Sequence, residues 1–373
     1  MTIGSMPETM RAVAFVEPNK VEVVERPTPK IEAESDIILK TITAGLCGSD
    51  LHFYRGHLPL KPGSTVGHEV VGQVIQVGKD VTKFKVGDKV VVPFSTNCGK
   101  DTCFYCSKGQ TSRCPEGLVF GVGQGLEGCQ AEYVRVPQAD GFVFPHPNVP
   151  STTALLLADI LPTGYFVAAG GKRLMLEGEG RASTGDLVKD VEGKKEGVCV
   201  VVGCGPVGLC AISSAVRMFD KVFATDLAPS RLEQAKQHGA IALPLEELKV
   251  ELEKATDGRG ADVALEVVGH SDPLTTAIDL VRPFGIVSSC GVHSEMFTTH
   301  AYMLYKKNLR FQFGQCSVPT YFKGAVGVIE DNNELFSKFI QHKIKLDDAP
   351  EYYTQFAANK IGKTAFVFDE ATE

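Results

Sequence analysis

Across residues 37–94 the apolar positions fall in short β-branched runs, 37-IILKTITA-44, 70-VVGQVIQVG-78 and 87-GDKVVVPF-94, each bounded by Gly, Pro or Asp. That punctuation predicts strands, and the first 150 residues read as β-rich. Near 150–170 the pattern changes, and 154-ALLLADILPTGYFVAAGG-171 reads as helical pieces interrupted at Pro162. From 198 to about 310 strands alternate with helices: 198-VCVVVG-203, 206-PVGLCAISSAVRMF-219, 222-VFATD-226, 229-PSRLEQAKQHGA-240, 263-VALEVVG-269, 273-PLTTAIDLVRPFG-285 and 286-IVSSCGV-292. Strand, helix, strand in that rhythm predicts an α/β, doubly wound parallel sheet. The tail, 310–373, is of mixed character. One stretch fits neither period: 172–197 is rich in Gly and charge and reads as a solvated surface insertion.

A length of 373 residues exceeds what one core usually supports, so two domains are expected. Hydrophobic and charged shares of 43% and 22% are those of a globular protein. A net charge of −7, a pI near 5.8 and no Lys/Arg run of five argue against nucleic acid or an anionic membrane as partner. The opening MTIGSMPETMRAVAF has no basic region followed by an apolar stretch, which predicts no signal peptide. The charge-free run 198–216 is long enough to raise the question of a membrane span, but three glycines and a proline interrupt it. Eleven cysteines without an export signal point to a reducing, cytoplasmic setting in which disulfides seldom persist.

The interruption has a function of its own. In 200-VVVGCGPVGL-209 a G-x-G-x-x-G turn, Gly203, Gly205 and Gly208 with Pro206 and Val207 between them, follows a strand and opens a helix. The first glycine makes the turn, the second lets backbone approach a pyrophosphate, and the third allows helix–strand packing. The free N–H groups of the helix start then face the anion. Asp226, 23 residues after Gly203, ends the next strand, where a carboxylate accepts ribose hydroxyls and repels a 2′-phosphate, favouring NAD. On its own, Asp226 would also suit a turn or helix cap.

A second constellation is 95-STNCGKDTCFYCSKGQTSRC-114, with Cys98, Cys103, Cys106 and Cys114 in one loop. Disulfides, a metal or chance are the alternatives, and the reducing setting weakens the first. Four thiolates form one of the closed zinc sites, whereas catalytic zinc keeps mixed ligands and an open position. Upstream, 45-GLCGSDLH-52 and 67-GHEVVG-72 hold four metal-capable residues, Cys47, His52, His68 and Glu69.

GLCGSDLH, GHEVVG, the cysteine lobe, GCGPVG and the pair Asp226 and Arg231, in this order, resemble the zinc-containing medium-chain alcohol dehydrogenase family over nearly the whole chain. Within it, 155-LLLADILPTGYFVA-168 followed by 313-FGQC-316 is most similar to the formaldehyde dehydrogenase-like branch. The resemblance implies a GroES-like β-rich catalytic domain, residues 1–165 completed by 310–373, and a Rossmann NAD-binding domain, 166–309, with an insertion at about 172–197. It implies two zinc ions per chain. The catalytic one is held by Cys47, His68 and Asp159, with Glu69 beside them as an outer or exchanging ligand, and the structural one by the four lobe cysteines. Ser49 and His52 occupy the positions of the family's proton relay. Cofactor contacts fall on Gly203, Gly205, Pro206, Val207, Gly208, Asp226, Arg231, placed near the adenine, and Val292.

The reaction so implied moves a hydride between an alcohol, or its aldehyde or ketone, and NAD, with zinc as Lewis acid. Partners are a small-molecule alcohol or aldehyde and further copies of the chain, as dimer or tetramer. The rival readings are an aldehyde dismutase with retained cofactor and a zinc-stabilised NADH-binding protein without turnover. Two features depart from the family: four residues rather than two separate Cys98 from Cys103, and the 172–197 insertion is present. For the third catalytic ligand, Glu69 competes with Asp159. Neighbours on an extended strand point to opposite faces, so His68 and Glu69 share one ion only where the backbone bends.

Overall fold

In the computed structural model, which describes residues 6–368, the three β-branched runs are the strands Ile37–Leu46, Val70–Val77 and Lys89–Val92. Residues 1–5 of the opening stretch and 369–373 of the tail lie outside the described residues. The chain divides into two compact units. One holds the residues up to Asp159, Ser317–Thr320 and the residues from Ile329 on; the other holds Ile160–Cys316 and Tyr321–Val328.

In the first unit the three strands lie side by side in a seven-stranded sheet. Its main path runs His342–Ile344, Thr364–Val367, Ile37–Leu46, Val70–Val77, Lys89–Val92 and Phe144–Pro145, with Tyr133–Val136 added against Ile37–Leu46. A hairpin, Thr9–Glu17 with Lys20–Pro27, stands as a separate two-stranded sheet. The core is the inward side of these strands: Ile37, Leu39, Val70, Val74, Val90 and Val92 pack with Phe120 and Phe142. Strand Thr364–Val367 brings the C-terminal tail alongside the end of Ile37–Leu46, with Thr364 opposite Leu46.

The second unit is the expected parallel sheet. Its six strands run in the order Ile241–Ala242, Lys221–Thr225, Val198–Val202, Ala261–Glu266, Val281–Ser289 and Arg310–Phe313, every neighbour parallel. Apolar residues of the strands and of helices Leu245–Ala255 and Ser271–Leu280 form one core. The segment 281–285, read as the end of a helix, instead begins strand Val281–Ser289. Among the described residues no single helix is long and apolar enough to cross a membrane.

Two expectations need correction. Pro162 does not interrupt a helix: it lies in the first turn of Ile160–Gly178, where its missing N–H costs nothing. The residue preceding that helix is Asp159, whose φ of −149° and ψ of −74° mark the break. Nor is 172–197 a uniformly solvated insertion. Residues 172–178 are the last turns of the same helix, with Lys172, Met175 and Leu176 buried. The Lys172 ammonium donates to the Glu196 carbonyl at 3.0 Å, and the Glu196 carboxylate lies 3.6 Å away. Helix Leu187–Glu192 buries Val191, and Glu192 accepts the Tyr165 hydroxyl at 2.7 Å and Arg217 at 2.6 Å. The longest continuous exposed run in the stretch is residues 177–185. Lys172, Glu192 and Glu196, three of the charges that made the stretch look solvated, are spent in these pairs.

Candidate functional site

Of the four upstream metal-capable residues, Cys47, His68 and Glu69 meet, joined by Asp159, whereas His52 is not part of the group. Cys47 follows strand Ile37–Leu46, and helix Asp50–Tyr54 starts three residues later. His68 and Glu69 precede strand Val70–Val77, next to Gly67 with its φ of +90°, and their donor atoms fall in one group although the residues are neighbours. Cys47, His68, Glu69 and Asp159 each offer one donor atom to a group in which all lie within 4.8 Å of one another. Cys47 Sγ is 3.6 Å from an Asp159 oxygen, and His68 Nε2 is 3.3 Å from the same oxygen.

Hydrogen bonds around the group orient it. Asp50 is buried, accepts the Cys47 N–H at 3.0 Å and lies 3.0 Å from His68 Nδ1. A carboxylate can only accept, so Nδ1 carries a hydrogen and Nε2 is turned towards Cys47 and Asp159. Gln130 supports the arrangement, donating to the Gly45 carbonyl at 2.9 Å while the Tyr353 hydroxyl donates to Gln130 at 2.9 Å. Lys363, buried beside strand Thr364–Val367, donates to Glu69 Oε2 and, at 3.2 Å, to the Leu46 carbonyl. A Cβ on Gly45 would stand 1.7 Å from Glu69 Oε2, so only glycine leaves room for this carboxylate.

Electrostatics favour a cation here. Burial pushes both the Cys47 thiol and the Glu69 carboxyl up, against the pull of Lys363. Burial works against a charged His68, yet Asp50 and Asp159 raise it well above the usual range. His68 Nε2 and Glu69 Oε1 are buried without a hydrogen bond. A nitrogen lone pair and a carboxylate 3.3 Å apart repel unless a proton or cation lies between them. Thiolate, imidazole and carboxylate are the donor set of zinc, so these residues fit that metal.

The four lobe cysteines also converge, their sulfurs lying within 4.8 Å of one another, and none of the four is in a disulfide. The longer Cys98–Cys103 spacing is taken up by a turn in which the Cys103 N–H donates to the Lys100 carbonyl at 3.0 Å. Lys100 is tied to Glu116 at 2.8 Å. N–H groups led by that of Cys106 bring the Cys103 thiol down to about 7, whereas burial pushes Cys98 and Cys106 up.

Ser49 directly precedes helix Asp50–Tyr54, and His52 lies within it, its N–H donating to the Ser49 carbonyl at 3.2 Å. Phe94 sets its edge against the His68 ring, with centroids 6.5 Å apart.

In the second unit Gly203 has a φ of +101° and ends strand Val198–Val202, and Pro206 is the first residue of helix Pro206–Met218. A Cβ on Gly208 would lie 2.1 Å from the Gly203 carbonyl oxygen, whereas at Gly205 nothing lies within 4 Å. The third glycine is thus required by packing and the second opens onto free space, which fits a pyrophosphate. Val207 lies in the helix's first turn, and Val292 is exposed. Asp226 accepts the N–H of Cys204 at 2.8 Å and of Ala228 at 2.9 Å, so it joins the glycine turn to its own turn. Arg231, placed near the adenine by the resemblance, stands 3.7 Å from the Asp226 carboxylate.

Sequence reading missed Asp50, Gln130, Tyr353 and Lys363. Asp50 alone had a local signal, an acid opening a helix inside the motif that supplies Cys47.

Residues 33–148 match the family described as "Alcohol dehydrogenase GroES-like domain", and residues 206–330 that described as "Zinc-binding dehydrogenase". The chain is 42% identical to zinc-type alcohol dehydrogenase B of Aspergillus flavus, over 96% of its own length and 81% of the relative's. It is 30% identical to a glutathione-independent formaldehyde dehydrogenase of Pseudomonas aeruginosa, over 96% of its own length and 97% of that protein's. Among solved structures, alcohol dehydrogenase TADH from Thermus sp. ATN1 matches with a TM-score of 0.85 and 33% identity, covering 96% of this chain and 99% of that one.

Proposed function

This chain belongs to the zinc-type medium-chain alcohol dehydrogenase family, and from that premise we propose that it is an NAD-linked oxidoreductase interconverting an alcohol and its aldehyde or ketone. The observation that carries the reading is the meeting of Cys47, His68, Glu69 and Asp159 donor atoms around an imidazole nitrogen that makes no hydrogen bond.

Cys47, His68 and Asp159 are the metal ligands in this proposal, as in the formaldehyde dehydrogenase-like branch, and Glu69 is the ligand that can exchange. Cys98, Cys103, Cys106 and Cys114 hold the structural ion. When bound at these residues, zinc would supply Lewis-acid polarisation of the substrate oxygen and NAD a hydride acceptor. The protein's own part is to hold Cys47 and His68 in orientation through Asp50, to carry the hydroxyl proton to solvent by way of Ser49 and His52, and to seat the cofactor phosphates at Gly205, in the turn that Gly203 and Gly208 shape. Pro206 and Val207 form the helix start beneath them. Asp226 takes the ribose hydroxyls, which favours NAD over NADP, while Arg231 steadies Asp226 and Val292 borders the nicotinamide half.

The test is metal analysis of the purified protein followed by NADH absorbance over a panel of alcohols, with NAD and NADP in parallel. The expected result is one zinc per cluster and turnover with NAD. Absence of zinc, or of NADH formation with every alcohol, sinks the reading; preference for NADP sinks the role of Asp226. Aldehyde consumption without net NADH change would point to dismutation.

A further inference from the structure

Glu266 closes strand Ala261–Glu266 with a fully buried carboxylate. Such a group is costly unless its oxygens are hydrogen-bonded, and here the donors come from two separate segments. One oxygen accepts the N–H groups of Val268 at 2.8 Å and Gly269 at 2.7 Å. The other accepts the Ser289 hydroxyl at 2.6 Å and lies 3.1 Å from His293 Nε2. Ser289 gives its only hydrogen to Glu266, so towards His293 Nε2, 3.0 Å away, it can only accept. Nε2 therefore carries a hydrogen, aimed at the carboxylate and the Ser289 oxygen. Through this one carboxylate the turn 267–269 is fastened to the segment 289–293.

Both segments border the glycine turn. A Cβ on Gly203 would lie 2.5 Å from a Val268 methyl, and one on Gly269 would lie 2.7 Å from the Val292 backbone nitrogen. In the sheet, the strand leading to Asp226 lies on one side of Val198–Val202, and Ala261–Glu266 lies on the other. A dinucleotide laid across the carboxyl ends of these strands, with its adenosine at Asp226, directs its other half towards the turn that Glu266 holds.

We propose that His293, acting through Glu266 and Ser289, is a positioning residue for the nicotinamide half of the cofactor. This role rests on the dinucleotide-binding function proposed for the glycine turn. The histidine need not touch the cofactor: its N–H fixes the segment carrying Val292 against Gly269, so the two lips of that half-site are set before the cofactor arrives. Preorganisation of this kind strengthens binding of the ligand half that uses the lips and leaves the other half unaffected.

The experiment compares wild type, His293→Leu and His293→Gln as purified full-length enzymes, measuring calorimetric affinity for NADH and for ADP-ribose, which lacks the nicotinamide. Leu removes the donor, while Gln restores an N–H of similar reach. His293→Leu should weaken NADH by about tenfold, the order expected for loss of a hydrogen bond to a charged group. It should leave ADP-ribose within about twofold, and His293→Gln should recover most of the NADH affinity, since a single donor group is at stake. The proposal is overturned if NADH binding is unchanged in the Leu variant, if NADH and ADP-ribose weaken together, or if Gln is no better than Leu. A wild type that binds neither ligand would overturn the dinucleotide reading itself.

Discussion

Replacing Asp50 by Ala should release the metal of one cluster and spare the other. In the structure Asp50 accepts from Cys47 N–H and stands against His68 Nδ1, each at 3.0 Å, and lies 3.5 Å from the Gln130 amide. Its removal takes the orienting partner from one ligand and the backbone anchor from another, inside a buried site. Loss of one such outer partner typically costs 10–100-fold in metal affinity, about 1.4–2.7 kcal/mol. Because Asp50 serves two ligands at once, the upper end, about 100-fold, is expected. Asp50→Asn keeps an acceptor oxygen and should lose only about tenfold. The assay is competition with a chromophoric chelator, followed as zinc release against chelator concentration. The four-cysteine lobe does not include Asp50 and supplies an internal reference, so the release curve should separate into two steps. Unchanged affinity at both clusters, or parallel loss from both, would refute the reasoning.

Asp159→Ala should lose the cluster zinc and nearly all turnover while keeping the lobe zinc and NADH binding, whereas Glu69→Gln should keep the metal and turn over more slowly; the reverse pattern in metal analysis would show that Glu69 is the third ligand. A pH effect is expected away from the site. Burial brings His238 from 6.5 down to about 4, with Ser213 Oγ 2.7 Å from its Nδ1. The unfolded chain takes up that proton near 6.5 and the folded chain only near 4, so stability present above pH 6.5 is lost as the pH falls between these values. The loss amounts to about 3 kcal/mol. His238→Gln should flatten that part of the curve of melting temperature against pH, and a parallel decline in both proteins would refute the assignment.

What was legible in the sequence was whatever a local period or a short motif encodes. The strands from Ile37, Val70 and Val198 show in their β-branched runs, and the glycine turn shows in its spacing. Lys363 could not be found that way, because it reaches Glu69 across 294 residues and only the pairing of Thr364–Val367 with Ile37–Leu46 brings it there. Tyr353 and Gln130, 223 residues apart, are alike in this. A charge in a mixed tail looks solvated until the fold removes its water. The same blindness produced the error over 172–197, where Lys172 and Glu192 read as surface charges and are internal pairs. Glu266 was read only as one residue of a strand, and its partners Ser289 and His293 come from a different one or beyond it.

The segment that ends in those internal pairs has a further consequence. Its outer stretch is closed off on itself, since Asp190 gathers the hydroxyls of Ser183 and Thr184 at 2.6 Å each. Beneath it, Lys172 and Glu192 clamp both ends to the same unit. Lengthening a loop between fixed ends costs only about 0.6 kcal/mol per doubling. Residues 182–185, beyond the Arg181 that pairs with Glu196, are therefore a place where a reporter peptide could be spliced in at small cost to the unit that carries the glycine turn.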